Sequence, residues 1–195
     1  MIKTFVEALK KTAKEIYPFV GWLTEAQKQT QFQNNGNNGV AILLYEFATG
    51  TGQDERIFPL NSDIAQKLIA GDRLTAIKNN FFERLTQLNL TFEQFVANGN
   101  DISGGYAFSP DHTTIEESIN AHINANLVQF FIGGTSNIYS PTNQQGWIKV
   151  TVSNETSRNS LLLHQGTNYP RTGNGNNKPL STIKQKFTFL LKVID

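Results

Sequence analysis

Residues 147–153 read WIKVTVS, a stretch in which apolar and polar side chains alternate. Successive side chains of an extended chain point to opposite faces, so Ile148, Val150 and Val152 share one face. Lys149 and Thr151 share the other face. A strand that is apolar on one side and polar on the other is typical of an antiparallel sheet packed on a core through one face. The stretch therefore predicts a half-buried strand.

The same alternation returns near the end of the sequence. In residues 183–194, Phe187 and Phe189 share one face and Lys186 lies on the other. Three further runs have strand character and are separated by glycine, proline and asparagine, as turns require. These runs are residues 128–132, 137–140 and 160–164. We therefore expect an antiparallel meander in the last seventy residues.

The first part of the chain shows helical periodicity instead. Apolar residues in the stretch 2–16 recur at helical spacing with lysines off the stripe, which predicts an amphipathic helix. Thr24 followed by Gln27 has the form of a capping box and predicts a second, short helix. The polar tract 31–39 predicts a loop. The apolar run 40–47 fits either a buried strand or a helix, because its periodicity does not decide between them.

More helices are predicted downstream. Asn61 or Ser62 can cap one helix, Asp72 can cap a longer one, and Thr91 begins a second capping box. The glycine-containing stretch 98–110 predicts a long loop. A last helix is expected to follow from residue 113, ahead of the strands.

Together these patterns predict one domain of the α+β class that spans residues 1–195. N-terminal helices, in residues 1–125, are expected to pack on a C-terminal antiparallel β-sheet (a meander) in residues 126–195. A chain of this length can bury one good core. The predicted core joins helices to sheet and consists of Ile64, Leu68, Leu74, Ile77, Phe81, Leu85, Ile148, Val150, Phe187 and Phe189.

Charge is divided unevenly along the chain. Residues 126–195 hold seven basic and two acidic side chains, a net charge of +5, so residues 1–125 carry −4 within the total of +1. A basic surface favours anionic partners. The low total charge makes a broad nucleic-acid surface an unfavoured interpretation, since dedicated nucleic-acid domains are usually more basic.

Composition also limits the kinds of site to expect. The chain has no cysteine, which excludes disulfides and thiolate metal sites. Neither a zinc-type spacing of histidines and carboxylates nor a cofactor motif is present, so we expect no metal and no cofactor. The apolar runs are too short for a Sec signal or a membrane span. If the protein leaves its cell, we expect it to do so with a larger carrier.

Residues 49–56, TGTGQDER, form the densest cluster of small and charged residues. Gly50 and Gly52, next to Thr49 and Thr51, would let backbone amides approach a phosphate or another anion. The Lys-Ser/Thr ending of a phosphate-binding loop is missing. In the alternative interpretation, the glycines take positive φ in a turn and Arg56 pairs with a neighbouring acid.

Three histidines are available for a mechanism that uses a general base: His112, His122 and His164. His122 lies near the apolar stripe of its predicted helix, which favours a packing role. His112 follows an aspartate in a predicted loop, which favours capping or solvation. His164 leaves a predicted strand for a loop, where a histidine either faces a cleft or is an ordinary surface residue.

Several of these stretches share a pattern with a known bacterial module. They are ATGTG at residues 48–52, Arg56, VSNETS at 152–157, SLLLH at 160–164, YPR at 169–171 and QKFTF at 185–189. In this combination they resemble a C-terminal toxin-like domain that ends some Rhs-type polymorphic toxin proteins of Bacteroidetes. The resemblance covers residues 45–60 and 126–192.

The resemblance implies a toxin-like effector domain, cytoplasmic in its producer, that a larger secretion or injection carrier delivers outside the cell or into a target cell. It implies that carrier and a cognate immunity protein as partners. Within the shared pattern, Arg171 would clamp an anion with Thr156 or Ser157 as a hydrogen-bond partner. The simpler interpretation is that these polar side chains hold a turn.

If the domain is an enzyme, we expect residues 49–56, Arg171 and His164 to meet at one edge of the sheet and act on an anionic or phosphate-bearing target. Arg56 and Arg171 should then lie near a common pocket, because fixed cations converge where an anion is bound. No catalytic motif in the sequence establishes a reaction.

A second hypothesis is a non-catalytic ligand- or protein-binding module. It would hold a saccharide or a protein partner on the exposed face of the C-terminal sheet, near Trp147, Tyr139 and Tyr169. An immunity protein or a structural protein is a third hypothesis. The sequence alone leaves these alternatives open.

Overall fold

The computed structural model describes residues 2–60, 62–69, 73–106, 135–158 and 178–195. The helices are α1 (Ile2–Ile16), α2 (Glu25–Asn34), α3 (Gly36–Thr49), α4 (Asp63–Ile69), α5 (Arg73–Gln87) and α6 (Phe92–Asn98), with a 3₁₀ turn at Val20–Trp22. The strands are β1 (Glu55–Phe58), β2 (Ile102–Tyr106), β3 (Thr135–Pro141), β4 (Trp147–Thr156) and β5 (Ile183–Lys192). The fold is α+β, as the sequence predicts.

The five strands form one sheet in the order β1-β5-β4-β3-β2. Strands β2 to β5 pair antiparallel, but β1 pairs parallel with β5. The sheet is therefore mixed, and the prediction of a purely antiparallel meander is wrong. A four-residue strand is too short to reveal its period in the sequence. Its partner is also remote, since Glu55 pairs with Lys184, 129 positions further along the chain.

Helices and strands are also interleaved along the chain. Strands β1 and β2 both belong to the first 125 residues, and α4, α5 and α6 lie between them in sequence. The predicted division into N-terminal helices and a C-terminal sheet is therefore wrong. The sheet is completed by two short edge strands that the chain supplies before its long strands.

The alternation predicted for the two long strands is confirmed. In both β4 and β5, every second residue is buried. We call the side that buries Val150 and Phe187 the inner face and the side that carries Lys149 and Lys186 the outer face. The inner face packs on the helices because it holds the apolar residues of both strands.

Helix α3 is the most buried helix of the described structure, and it contains the run 40–47 that fits a strand or a helix equally well. Ten of its fourteen residues are buried. It packs against α1, α2 and α4, so apolar residues surround much of its circumference and no amphipathic stripe is visible in the sequence. The capping boxes predicted at Thr24 and Thr91 are both present.

The polar tract 31–39, predicted as a loop, is almost entirely helical. Helices α2 and α3 are separated only by Asn35, whose side chain accepts a hydrogen bond from the Asn38 amide at 3.2 Å. The Gly36 amide donates to the Asp63 carboxylate of α4 at 2.6 Å. A cap and a tertiary contact therefore hold a helix start that local propensity does not favour.

The stretch 98–110, also predicted as a loop, contains β2. Gly104 of β2 lies opposite Asn137 of β3. A Cβ on Gly104 would overlap the ring of Tyr139. Glycine is thus present because the strand passes close to a large side chain, and the prediction of a loop is wrong for residues 102–106.

One cluster of buried apolar residues joins the helices to the inner face. Phe81 of α5 lies at its centre, with ring centroids 5.2 Å from Tyr139 and 5.3 Å from Phe95. The predicted core residues that are buried in this cluster are Ile64, Ile77, Phe81, Leu85, Ile148, Val150, Phe187 and Phe189. Leu74 is half-buried against the cluster.

Some predicted features lie outside the described residues and stay predictions. They are the strands at 128–132 and 160–164, the helix from residue 113, the side chain of Leu68, and the residues His112, His122, His164, Tyr169 and Arg171.

Candidate functional site

The glycine turn that was predicted to meet an anion connects α3 to β1. Gly50 ends α3 with φ 73°, and Gly52 follows with φ 80°. A Cβ on Gly50 would overlap the carbonyl oxygen of Lys178, and a Cβ on Gly52 would overlap the Glu46 carboxylate. Both conformation and space therefore require glycine at these positions. The negative group that lies against the turn belongs to the chain itself.

The threonines of the turn close the end of α3. Thr49 Oγ1 donates to the Tyr45 carbonyl at 2.7 Å, and the hydroxyls of Thr49 and Thr51 share a hydrogen bond of 2.7 Å. The Leu180 amide donates to the Phe47 carbonyl at 2.9 Å. The segment that leads into β5 is thereby attached to the last turn of α3.

Arg56 extends from β1 into the interior and is 1% exposed. Its guanidinium makes two hydrogen bonds to each of two carboxylates. Nε donates to Glu46 Oε2 at 3.1 Å and Nη2 donates to Glu46 Oε1. Nη1 and Nη2 donate to Glu25 at 2.7 and 3.2 Å. The guanidinium also lies 5.3 Å from the Phe32 ring centroid, within reach of a cation–π interaction.

Lys28 completes the charge balance around Arg56. Its ammonium group lies 2.9 Å from Glu25 and 2.8 Å from Glu46. Two cations thus face two carboxylates, and the net charge of the four residues is zero. We call Glu25, Lys28, Glu46 and Arg56 the charged cluster. It joins α2, α3 and β1.

The ion pairs change the acidity of these groups. The hydrogen bond to Arg56 holds the pKa of Glu25 at about 2, although partial burial acts in the opposite direction. Burial acts to lower the pKa of Lys28, but its pairing with Glu46 and Glu25 outweighs burial and raises that pKa. The pKa of Arg56 is raised in the same way. All these shifts favour the charged forms.

A row of polar side chains continues from Arg56 across the inner face. Gln185 of β5 lies opposite Arg56, and Asn154 of β4 lies opposite Gln185. Asn154 Nδ2 donates to Gln185 Oε1 at 2.8 Å and to Thr156 Oγ1 at 3.3 Å. Gln185 Nε2 donates to the Ile183 carbonyl at 3.2 Å. Amides and a hydroxyl thus hold one another in fixed orientations.

Buried polar residues concentrate at this end of the sheet. In the described part of the chain, eleven polar or charged residues are buried, and eight of them lie here. We call these eight the polar end: Glu46, Arg56, Asn154, Thr156, Ser157, Ser181, Thr182 and Gln185. The rest of the inner face of β4 and β5 is apolar.

The polar end brings several predicted site residues together. Arg56, Thr156 and Ser157 belong to it, and Gly52 contacts its member Glu46. Residues 49–56 and 154–157 therefore meet here. His164 and Arg171 lie outside the described residues, so the predicted convergence of Arg56 with Arg171 stays a prediction.

Sequence reasoning missed six residues of this region: Glu25, Lys28, Glu46, Ser181, Thr182 and Gln185. Two of them have a recognisable pattern in the sequence. Glu46 is the one charged residue in the apolar run 40–47, and such a residue needs a buried partner. Gln185 occupies the same face of its strand as Phe187 and Phe189. A polar residue on an apolar face indicates a hydrogen-bonded site.

A second polar cluster lies near the opposite edge of the sheet and carries no formal charge. Tyr139 Oη donates to Asn80 Oδ1 at 2.6 Å and accepts from Asn137 Nδ2 at 3.2 Å. Asn80 Nδ2 donates to the Gly105 carbonyl at 2.7 Å. Burial raises the pKa of Tyr139 to about 12. We call Asn80, Asn137 and Tyr139 the neutral cluster.

The position of Tyr139 corrects a prediction. The binding-module hypothesis placed this tyrosine near the exposed face of the sheet, but it is buried on the inner face against Phe81. Alternation along β3 determines this, because Ile138 and Tyr139 necessarily point to opposite faces. Trp147 is half-buried at the end of β4.

A groove of about 490 Å³ lies between α6 and the β3–β4 hairpin. Its lining includes Phe92, Val96 and Ile194, together with the hairpin residues Gln144 and Gln145. It contains none of the predicted site residues. The groove is thus separate from the polar end.

The described residues contain neither a membrane-spanning helix nor a metal-binding group. No helix in these segments is both long enough and apolar enough to cross a bilayer. Within the same segments, no group of three or more His, Cys, Asp or Glu side chains could hold a metal ion.

No family model, curated protein or solved structure matches the chain.

Proposed function

We propose that this chain is a toxin-like effector domain that a larger bacterial carrier delivers, and that its target is held at the polar end of the sheet. The observation that supports the site most directly is the concentration of buried polar side chains there. The toxin context comes from the sequence resemblance, which includes residues 49–56 and 154–157.

Stability alone does not account for the polar end. Replacing both members of a buried hydrogen-bonded pair by apolar groups of the same shape is often nearly neutral. The inner face beside it is filled by apolar residues such as Phe187 and Val152, so the sheet has no general need for polar ones. Polar groups retained against this preference are typical of functional sites.

The proposed roles differ between charged and uncharged members. The guanidinium of Arg56 donates its hydrogen bonds to Glu46 and Glu25, so Arg56 positions β1 against α2 and α3. Asn154, which keeps a small exposed surface, would hydrogen-bond a polar target, and the fully buried Gln185 would hold the Asn154 amide in position. Two features favour an anionic or phosphate-bearing target. They are the sequence-predicted site residues His164 and Arg171 and the net charge of +5 on residues 126–195.

Expression of the chain in a host bacterium, with and without a periplasmic signal, tests the effector activity. We expect growth to slow when the chain is placed in one of the two compartments. Unchanged growth in both compartments would overturn the proposal.

A triple variant tests the site: Asn154→Leu, Thr156→Val and Gln185→Met. It removes the linked polar groups while keeping their approximate shapes, so the melting temperature should stay near that of the native chain. Growth inhibition should disappear. The matched control is Tyr139→Phe, which removes a buried hydroxyl from the neutral cluster and should leave inhibition intact. A folded triple variant that inhibits growth like the native chain would show that the site lies elsewhere.

A further inference from the structure

The outer face of the sheet is exposed and carries large apolar side chains. Eight large apolar residues are exposed in the described structure, and three of them lie on this face: Ile57, Ile138 and Leu190. They are 64%, 41% and 40% exposed. They come from three different strands, β1, β3 and β5, so the exposed apolar area extends across the sheet.

Cations are placed between these apolar residues. Lys186 lies beside Ile57 on the neighbouring strand, and Lys149 lies beside Leu190. The other cross-strand neighbours of these two lysines are Ser153 and Ser140, which are uncharged. Neither lysine therefore has an acidic residue directly opposite it on an adjacent strand.

A third lysine of the outer face shows the contrast. Lys184 lies between Glu55 of β1 and Glu155 of β4. Its charge is therefore matched within the sheet.

Lys192, the fourth lysine of the outer face, lies beside Trp147 and has its ammonium group 3.4 Å from Asp195. The lysines that lie beside exposed apolar residues with no acidic residue opposite are therefore Lys149 and Lys186.

We infer that the outer face binds a protein partner whose surface combines carboxylates with apolar side chains. Apolar residues flanked by unmatched cations are complementary to such a surface, and electrostatic complementarity adds specificity and speeds association. This inference is independent of the polar end, which lies on the other side of the sheet.

The composition of the face favours a protein over a nucleic acid. Single strands are bound by aromatic stacking, and phosphates are commonly held by arginine. In the described residues, the outer face of the sheet carries no arginine, and its one aromatic residue is Trp147 at the end of β4. Exposed isoleucine and leucine contribute to a protein interface and little to phosphate binding.

The test uses the full chain and a short synthetic peptide that alternates glutamate and valine, with binding followed by fluorescence anisotropy. The peptide should bind the native chain, and added salt should weaken binding. The double variant Lys149→Glu, Lys186→Glu should weaken it about tenfold or more, since each reversed charge faces a carboxylate. Leu190→Ser should also weaken it, because apolar area is lost.

The matched control is the double variant Lys3→Glu, Lys14→Glu. Both lysines are exposed on α1, so the net charge changes equally but away from the outer face. It should bind the peptide like the native chain. If both double variants bind the peptide with equally weakened affinity, the effect depends on net charge alone and the inference is overturned.

Three other results would also overturn it. The first is no peptide binding to the native chain. The second is binding of a single-stranded DNA probe that is lost in Lys149→Glu, Lys186→Glu, which would identify a nucleic-acid surface. The third is self-association in sedimentation that Leu190→Ser abolishes, which would assign the face to a second copy of the chain.

Discussion

At the β1 edge of the sheet a cluster of two carboxylates and two cations extends from the interior to the surface, whereas near the β2 edge the polar cluster consists of a phenol and two amides. The charged cluster joins two helices to a short parallel strand. The neutral cluster joins one helix to β3. The cost of burying a charge greatly exceeds that of burying a neutral polar group, so the same sheet should respond very differently to mutation at its two edges.

Arg56→Met, at the β1 edge, should lower the free energy of unfolding more than any variant at the β2 edge. It leaves Glu46 buried without the guanidinium, and breaking a buried ion pair costs about 3 to 5 kcal/mol. The free energy of unfolding from denaturant titration measures this. Combining Arg56→Met with Glu46→Leu should recover part of the loss, because the buried carboxylate that has lost its guanidinium partner and kept Lys28 is then removed. A loss below about 1 kcal/mol for Arg56→Met would show that the cluster behaves like an exposed ion pair.

Gly104→Ala should be the next largest change and tests the packing of the neutral cluster. The added Cβ would overlap the Tyr139 ring and lie 2.5 Å from Asn80 Oδ1, so we expect a loss of about 1 to 3 kcal/mol. Gly105→Ala is the matched control in the same strand, since a Cβ there meets no atom within 4 Å. Equal melting temperatures for the two variants would contradict the close packing described at β2.

Tyr139→Phe should have a smaller effect, because it removes one hydroxyl and keeps the ring against Phe81. We expect a loss of about 1 kcal/mol, the usual net value of a buried hydrogen bond. The loss should shrink above pH 10, since the raised pKa of Tyr139 makes the native tyrosine itself destabilising there. A difference between native and variant that does not change at high pH would contradict the buried position of the phenol.

The smallest expected effect is a loss of folding stability at low pH, caused by protonation of Glu25 in the charged cluster. The pKa of Glu25 is about 2 in the folded chain and 4.5 ordinarily, so its contribution to stability is present above pH 4.5 and is lost as pH falls towards 2. The residue is partly exposed, which limits the size of the effect. Glu25→Gln should therefore flatten the stability profile between these pH values. An identical profile in variant and native chain would exclude this ion pair as a source of acid sensitivity.

The elements that the sequence predicted correctly are those with a local cause. Strands β4 and β5 show two-residue alternation over ten residues each, and the capping boxes at Thr24 and Thr91 need only four residues. The predictions that failed depend on distant contacts. Strand β1 pairs with the distant β5, and the glycine at position 104 lies in a strand because β2 pairs with β3, where a Cβ would overlap the Tyr139 ring.

The candidate site follows the same rule. The glycine turn and Arg56 are conspicuous in the sequence, and one of the two interpretations of this stretch pairs Arg56 with a neighbouring acid. Its actual partners, Glu46 and Glu25, are 10 and 31 positions away, and no local pattern selects them. Gln185 and Asn154 become a site only when β4 and β5 pair in the observed register.

The parallel pairing of β1 with β5 has a consequence for the order in which the chain can fold. Residues 55–58 must wait for residues 184–187, so a ribosome has to synthesise the 125 residues between these two segments before this contact can form. Closing so long a loop is entropically costly, and contacts of high sequence separation slow folding. The polar end, which needs β1, β4 and β5 at once, is therefore among the last parts of the protein to assemble. A nascent chain that stops short of β5 carries Arg56 and Glu46 but no completed polar row.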